Sequence, residues 1–276
     1  MRNIGLQLVY QGSDFHGYQI QPGLRTVQAC LEAALKSLLT ESVATICAGR
    51  TDAGVHAYAQ VVNFCTGHSL PVERFAPALN SLLPPDLRIA GAWELDPAFN
   101  ARFAARARHY RYVIGKPASP LQRQVIWQCA YDLDLELLKA TWLNLQGQHD
   151  FRAFCRKGSY RQNFVIPIYW TRCWQHGSLT VLEIMGQSFV YNMVRTLVGT
   201  AVDMARGRLA PDTLSQALSR GERKLVGTTA PPQGLTLYNV IYPPACRIQL
   251  IQPEIHAWPV PIGPIIQTSR LVSGQS

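Results

Sequence analysis

The 276-residue sequence has no apolar run that approaches the ~18–20 residues needed for a membrane-spanning helix. Its first residues, MRNIGLQLVYQGSDF, also lack the basic segment, the apolar segment and the cleavage site that together make a secretory signal. Both absences argue against a membrane protein and against a secreted one. We therefore expect a soluble protein of the cytoplasm that has no membrane partner.

Sequence motifs for cofactors are also missing. The seven cysteines include no CxxC pair, so neither a disulfide framework nor a zinc site is indicated. The chain contains no GxGxxG fingerprint and no Walker loop, which are the phosphate-binding motifs of dinucleotide and nucleotide sites. We expect a reduced protein that works without a metal ion and without an organic cofactor.

Charged residues are scarce, at 16% of the chain, while hydrophobic residues make up 47%, which excludes charge-driven disorder. The 26 Lys and Arg residues outnumber the 17 Asp and Glu residues, and the net charge is +9. Only five of the 26 are Lys. Arginine presents a planar set of donors that suits phosphate, but a GC-rich genome also raises the arginine content. Composition alone therefore leaves nucleic-acid binding open.

The excess of positive charge is confined to one part of the chain. Residues 1–105 carry seven basic and eight acidic side chains, a net charge of −1. Residues 106–276 carry nineteen basic and nine acidic side chains, a net charge of +10. An anionic partner is therefore expected to contact mainly the second part.

Apolar periodicity predicts the order β-α-β-β-α-β over the first hundred residues, which is the split βαβ or ferredoxin-like arrangement. The second half repeats this order more loosely. We predict an α+β fold of two ferredoxin-like or RRM-like halves, residues 1–105 and 106–244, followed by a proline-rich tail, residues 245–276. Halves that meet edge to edge would form an extended, mostly antiparallel sheet with helices on one face and a central catalytic cleft.

The most unusual segment is CAGRTDAGVHA, residues 47–57, which directly follows a predicted strand. Gly49 and Gly54 allow the tight backbone that presents a side chain on a short loop. Asp52 lies between them, near Arg50 and few apolar residues, which favours an ionised and nucleophilic carboxylate. The alternative is an ordinary Asx-turn in which the carboxylate accepts from backbone N–H groups.

A second segment, ARFAARARHYRYVI, covers residues 101–114. Strand periodicity puts Arg106, Arg108, Tyr110 and Tyr112 on one face. Arginines interleaved with tyrosines suit RNA, because the rings stack on bases and the guanidinium groups contact phosphates. A solvated edge strand is the equally weighted alternative.

A third segment, GQSFVYNMVRTLVG, covers residues 186–199 and contains Arg195 in an otherwise apolar helix. A buried guanidinium needs a partner, and a carboxylate is the expected one. The more frequent alternative is that Arg195 extends along its own stem to the surface.

These segments occur in order with YQGSDFHGYQIQP, LRTVQACLEAAL, DFRAF and GTTAPPQGLTLYNVIYP. Together they resemble the A-type tRNA pseudouridine synthase family over about residues 4–243. The resemblance implies the pseudouridine synthase fold, a homodimer, and action on uridines 38, 39 and 40 of the tRNA anticodon stem-loop without a cofactor. It favours a functional role for Asp52 over the Asx-turn.

The resemblance also implies roles for individual residues. Asp52 occupies the position of the nucleophile, and Tyr110 that of the residue that stacks on the target uracil and serves as a base. Arg195 matches the basic residue that pairs with this Asp. Leu235 lies in the motif that closes the pocket, and Arg50 is positioned to contact the flipped nucleotide or to fill the gap that it leaves.

The sequence departs from the family pattern at two motifs, and its segment SYRQNFVIP, residues 159–167, is also unusual. Asn100 stands where relatives often have His before ARF, and His16-Gly17-Tyr18 replaces a common aromatic-Gly-Trp. The departures concern substrate contacts and leave the predicted chemistry unchanged. Attack of Asp52 at C1′ and addition to C6 of the ring both stay open.

Two rival functions use the same residues. A non-catalytic tRNA-binding protein of this fold would explain the basic second half, but it has no need of an ionised Asp52. A hydrolase that excises the base would need Asp52 and would release free uracil. The reaction products distinguish the three possibilities.

Overall fold

The computed structural model describes residues 1–116, 120–155 and 162–251. They form a mixed α+β fold with ten strands, mostly antiparallel, and five α-helices, so the predicted α+β class is confirmed. Packing divides them into two compact units, residues 1–108 with 236–251, and residues 109–235. The prediction assigned residues 236–244 to the second half instead. Residues 252–276 of the predicted tail lie outside the described residues.

The first unit contains two helices and most of five strands: β1 (Arg2–Tyr10), α1 (Val27–Leu39), β2 (Ile46–Cys47), β3 (His56–Thr66), α2 (Val72–Asn80), β4 (Leu87–Leu95) and β10 (Leu235–Ile241). Its strand order is β4-β1-β3-β10, with β2 paired to β3. β10 joins the first unit because Thr236 and Leu237 pair in parallel with His56 and Ala57 of β3. This pairing is the reason that residues 236–241 pack with the first unit.

Local sequence signals explain the first helix. The side chain of Thr26 accepts a hydrogen bond from the Ala29 N–H at 3.3 Å and caps the start of α1. The apolar side chains that recur at helical spacing are buried: Val27, Leu31, Ala34, Leu35 and Leu39. In the same unit, Ile4, Leu6 and Leu8 of β1 are also fully buried.

The second unit contains three helices and most of five strands: β5 (Ala107–Gly115), β6 (Trp127–Gln128), α3 (Leu135–Leu143), β7 (Gly147–Asp150), β8 (Val165–His176), β9 (Leu179–Gly186), α4 (Met193–Ala205) and α5 (Thr213–Arg220). Its strand order is β5-β9-β8-β7, with β6 paired in parallel to β5. β8 and β9 form the hairpin that the apolar pattern predicts. Every residue of α4 except Arg195 is buried.

Candidate active site

The loop that carries Asp52 is a tight turn between β2 and β3. The Val55 N–H donates to the Asp52 carbonyl at 3.1 Å, and Gly54 between them has φ +78. A positive φ at the third residue of a four-residue turn is the pattern of a type II turn, which glycine adopts without steric cost. Asp52 is half-buried and Arg50 is exposed. The turn therefore leaves Arg50 accessible at the surface of the first unit and Asp52 partly accessible.

Two glycines of the preceding YQGSDFHGY segment pack against this loop. A Cβ on Gly12 would lie 2.0 Å from the Val55 carbonyl oxygen, and one on Gly17 would lie 3.0 Å from that of Thr51. The Gly54 N–H donates to the Phe15 carbonyl at 3.2 Å. Residues 12–17 thus form a backbone support behind Asp52. No such role was predicted for these residues, although the spacing of their glycines is a signal for it.

Hydrogen bonds from the protein interior hold the loop on both sides of Arg50. Tyr10 Oη and Thr51 Oγ1 are 2.8 Å apart in the interior, and the Tyr18 N–H donates to the Thr51 carbonyl at 3.0 Å. Before Arg50, the Gln60 side chain donates to the Gly49 carbonyl. These contacts hold the residues on both sides of Arg50, so the position of the Asp52 backbone is set by the protein interior.

Arg108 joins the same loop to a neighbouring turn. Its Nη2 donates to the Ala48 carbonyl at 2.7 Å and to the Arg102 carbonyl at 2.6 Å, and Nη1 donates to Ala105 at 3.1 Å. Arg108 is only 9% exposed. The side chain expected to contact RNA therefore binds three backbone carbonyls, whereas Arg106, just before β5, is exposed.

Cys47 precedes the loop and is a second potential nucleophile. Burial raises the pKa of its thiol to about 11, although nearby Arg50 opposes the shift. The thiol therefore stays protonated at neutral pH and is a poor nucleophile. Asp52 is the better candidate in this loop.

The two tyrosines of β5 have different surroundings. Tyr110 is 8% exposed, and its ring meets Phe189 edge to face with centroids 5.0 Å apart. Tyr112 is fully buried, donates to the Pro231 carbonyl at 2.7 Å and packs edge-on against Trp127. β5 is buried on both faces, so it is neither the solvated edge strand nor a strand with an open tyrosine face. Phe189 is a supporting residue that the sequence analysis missed.

Arg195 is held at the start of α4 by the GTTAPP segment. Its Nε donates to the Ala230 carbonyl at 2.8 Å, and the Ala230 N–H donates to the Arg195 carbonyl at 3.0 Å. Nη1 also donates to Asn192 Oδ1 at 3.2 Å. The guanidinium is thus held by neighbours within the second unit, and the Arg195 side chain is half-buried.

The segment that holds Arg195 is itself docked on α4. Asp203 Oδ2 accepts from both the backbone N–H and the hydroxyl of Thr228 at 3.0 Å. Burial raises the pKa of Asp203, but bonds from Thr228 and Arg206 outweigh burial and leave it below its ordinary value. A Cβ on Gly199 would lie 1.8 Å from the Thr228 carbonyl oxygen, so only glycine fits at this contact.

A buried ion pair lies behind β5. Glu183 of β9 accepts from Arg111 at 2.8 and 3.1 Å and from the Trp174 indole at 3.0 Å, and His109 Nε2 lies 3.4 Å away. Burial raises the pKa of Glu183, but the hydrogen bonds and charges of His109 and Arg111 have the larger, opposite effect. The resulting pKa is about 2. These contacts fix the side of β5 opposite Tyr110. Strand periodicity places His109 and Arg111 on one face of β5 but gives no sign of the carboxylate that they bind.

The predicted site residues are divided between the two units. Arg50, Asp52, Arg106 and Arg108 lie in the first unit, and Tyr110, Arg195 and Leu235 in the second. Leu235 begins β10 and is 4% exposed. The pairing of Asp52 with Arg195 stays a prediction.

The described residues contain no group of three His, Cys, Asp or Glu side chains arranged to bind a metal ion. Within residues 1–116, 120–155 and 162–251, no helix combines the length and the apolar character required to cross a bilayer.

Comparison with known proteins identifies the family. The family model described as tRNA pseudouridine synthase matches residues 9–104 and 143–243. The chain belongs to this family. It is therefore a pseudouridine synthase, an isomerase, as the sequence motifs predicted. The matched ranges include the Asp52 loop, Arg195 and Leu235, but not Tyr110.

Curated relatives agree with this assignment. The tRNA pseudouridine synthase A of an Exiguobacterium species is 38% identical over 242 residues, which cover 88% of this chain and 98% of the relative. Those of a Geobacillus species and of Moorella thermoacetica are each 40% identical, with 98% of the relative covered and 87% and 86% of this chain. A solved Cbf5-Nop10-Gar1 complex is 10% identical with a TM-score of 0.33, covering 84% of this chain and 57% of that one. That likeness is too weak to carry an argument.

Proposed function

We propose that this pseudouridine synthase isomerises uridines 38, 39 and 40 of the tRNA anticodon stem-loop, with Asp52 as the nucleophile. The observation that carries the proposal is the construction of the Asp52 loop. Gly12 and Gly17 pack behind it, Thr51 is bonded to Tyr10, and Asp52 is left half-buried beside the exposed Arg50. A carboxylate held in this way is pre-organised to attack a bound group.

The reaction moves uracil from an N1–C1′ bond to a C5–C1′ bond. N1 gains a proton and C5 loses one, so the conversion is redox-neutral. Asp52 acts either by attack at C1′, which releases the uracil so that it can rotate, or by addition to C6 of the ring. A base stacked in a stem is out of reach of a protein side chain, so the nucleotide is flipped out before either step.

Four other residues complete the proposed site. Tyr110 stacks on the uracil, supported by Phe189, and its phenol removes the C5 proton at the end of the reaction. Arg195 pairs with Asp52 and keeps it ionised. Leu235 closes the pocket with aliphatic surface, and Arg50 contacts the flipped nucleotide.

Arg106 and Arg108 are proposed to serve tRNA binding in different ways. Arg106 is exposed and contacts phosphate directly. Arg108 is bonded to the Ala48 and Arg102 carbonyls, so it acts through the loop that it holds.

Substitution of the nucleophile tests the proposed chemistry. Incubation of uridine-labelled tRNA with wild type, Asp52→Asn and Asp52→Ala distinguishes three products: pseudouridine, unchanged uridine and free uracil. We expect both variants to lose more than about 1,000-fold in rate while tRNA affinity stays within about threefold. Wild type that binds tRNA without converting it would indicate the non-catalytic binder, and free uracil would indicate the hydrolase.

We also propose a cytoplasmic homodimer with one tRNA contacting both subunits. Sedimentation velocity at low micromolar protein measures the mass in solution. A species of twice the 30.7 kDa chain mass is expected, and a monomer at all concentrations would contradict the dimer.

A further inference from the structure

The aromatic ring of Phe103 is exposed on the turn that Arg108 joins to the Asp52 loop, and it has no role in the proposed function. It is 79% exposed, whereas the next most exposed aromatic side chains of the described residues, Tyr191 and Tyr131, are 52% and 49% exposed. A single exposed apolar residue is common on protein surfaces and is not by itself a site. The turn that carries Phe103 is also held in a fixed conformation.

That turn is held firmly by its own side chains. Asn100 Oδ1 accepts from the Arg102 N–H at 3.0 Å and from the Phe103 N–H at 3.2 Å. Ala101 is fully buried, and its carbonyl accepts from Tyr242 Oη at 2.7 Å. Phe103 is therefore exposed by a backbone that leaves it little freedom to turn inward. Asn100, where relatives often have His, supplies the cap of the turn.

Arg108 connects this turn to the catalytic loop. One nitrogen of its guanidinium, Nη2, donates to the carbonyls of both Arg102 and Ala48, at 2.6 and 2.7 Å. Ala48 starts the loop that presents Asp52 four residues later. A ligand bound at Phe103 is thus held in a fixed relation to the loop that carries the nucleophile.

The ring is accompanied by positive charge. The Arg102 guanidinium lies 5.6 Å from the centre of the Phe103 ring, and Arg50 and Arg106 are exposed in the same unit. An aromatic face beside guanidinium groups is the combination that binds unstacked bases of RNA, because the ring stacks on a base and the cations contact its phosphates. A protein partner would be recognised by a wider apolar patch than a single ring.

We propose that Phe103 stacks on a nucleobase that flanks the target uridine, with Arg102 on the adjoining phosphate. The proposal rests on the proposed function, because it assumes that the target uridine reaches Asp52. Phe103 binds substrate and touches no reacting atom. Its loss therefore weakens tRNA binding, whereas the loss of Asp52 stops the reaction.

The experiment uses the full chain with the Asp52→Asn substitution and an anticodon stem-loop RNA that carries 2-aminopurine next to the target uridine. Adding Phe103→Ala is expected to raise the Kd about 5- to 100-fold and to remove the fluorescence change on binding. Phe103→Trp should restore the Kd to within about twofold of the parent. Leu82→Ala, which removes another exposed apolar side chain, is the control and should leave the Kd unchanged.

Two results would overturn the proposal. One is a Kd within about twofold of the parent for Phe103→Ala, or an unchanged fluorescence signal. The other is altered sedimentation of Phe103→Ala with unchanged RNA affinity, which would make Phe103 a contact between protein chains. This experiment measures RNA binding and not product formation, so it is independent of the test of Asp52. If Asp52→Asn were active, Asp52 would not be the nucleophile, but the binding data would still show whether Phe103 contacts the RNA.

Discussion

At the scale of single residues, two tyrosines of β5 that look equivalent in the sequence have different surroundings, which predict separate roles. Tyr110 meets Phe189 edge to face, and Tyr112 is buried with its hydroxyl bonded to Pro231. Burial raises the pKa of Tyr112 far above its ordinary value, although the charge of Arg195 opposes the shift. Tyr112 therefore stays a neutral donor inside the fold, and only Tyr110 is a candidate for proton transfer.

Removing each hydroxyl in turn separates these roles. Tyr112→Phe should lower the free energy of unfolding by about 1–3 kcal/mol, because the Pro231 carbonyl loses its donor. Tyr110→Phe should keep its ring and its tRNA affinity but slow the release of the C5 proton. Urea unfolding and tritium release from 5-labelled uridine in single-turnover reactions measure the two effects. An unchanged rate for Tyr110→Phe would limit Tyr110 to packing.

Glu183 predicts how stability depends on pH. The pKa of its carboxyl is about 2 in the folded protein, against about 4.5 for an ordinary glutamate. Between these values the unfolded chain binds the proton and the folded chain does not, so stability rises with pH. This carboxyl should therefore contribute about 2 kcal/mol less at pH 3 than at pH 7.

The comparison of wild type with Glu183→Gln isolates this contribution from that of the other carboxylates. At pH 7 the variant should lose about 3–5 kcal/mol, because Arg111 is left buried without its counter-charge. The difference between the two proteins should narrow as the pH falls from 5 toward 3. A difference independent of pH, measured by urea unfolding, would show that Glu183 is not ionised in the folded protein.

At the scale of elements, local sequence signals predicted what depends on neighbouring residues. The Thr26 cap marks the start of α1. Strand periodicity predicts strands over residues 87–95 and 107–115, where β4 (Leu87–Leu95) and β5 (Ala107–Gly115) lie. The prediction was wrong where a distant partner decides the element. The short β-branched run predicts a strand over residues 60–64 only, whereas β3 covers His56–Thr66 because it pairs with β1 over nearly its full length.

Contacts between residues distant in the sequence also determine β7 and the support of the site, and sequence patterns do not reveal them. The residues GQHD of β7 have no apolar alternation, and they form a strand only because Gly147–Asp150 pair with β8. For the site, the motifs predicted Asp52 and Arg195. The contacts that hold them, from Gly12 to Val55 and from Arg195 to Ala230, join residues more than thirty positions apart, so no local pattern reveals them.

The support behind the Asp52 loop predicts a sharp effect of one methyl group. Gly12→Ala puts a Cβ 2.0 Å from the Val55 carbonyl, so the backbone of the loop has to move. We expect at least a tenfold loss of turnover, because displacements of about 1 Å in a site cost as much as 100-fold. Gly67→Ala is the matched control, since a Cβ there meets nothing within 4 Å. Equal turnover of the two variants, measured as pseudouridine formed, would contradict the supporting role.

At the scale of the whole molecule, the positive charge available to tRNA is smaller than the sequence suggests. The excess lies in residues 106–276, but several of these cations are engaged within the protein. Arg111 is buried against Glu183, Arg206 is bonded to Asp203, and Lys224 is paired with Glu222. Exposed arginines without such a carboxylate, such as Arg106, are therefore the ones expected to bind phosphate.

The salt dependence of tRNA binding tests this distinction between carboxylate-paired cations and exposed arginines. Each phosphate contact that a cation makes adds about 0.7–0.9 to the slope of log Kd against log salt concentration, because bound counterions are released. Arg106→Ala should therefore lower the slope by nearly one and weaken binding at low salt. Lys224→Ala removes the same charge from a side chain already paired at 2.8 Å with Glu222, so its slope should match that of wild type. Equal slopes for the two variants, measured between about 50 and 200 mM salt, would show that net charge rather than individual arginines attracts the tRNA.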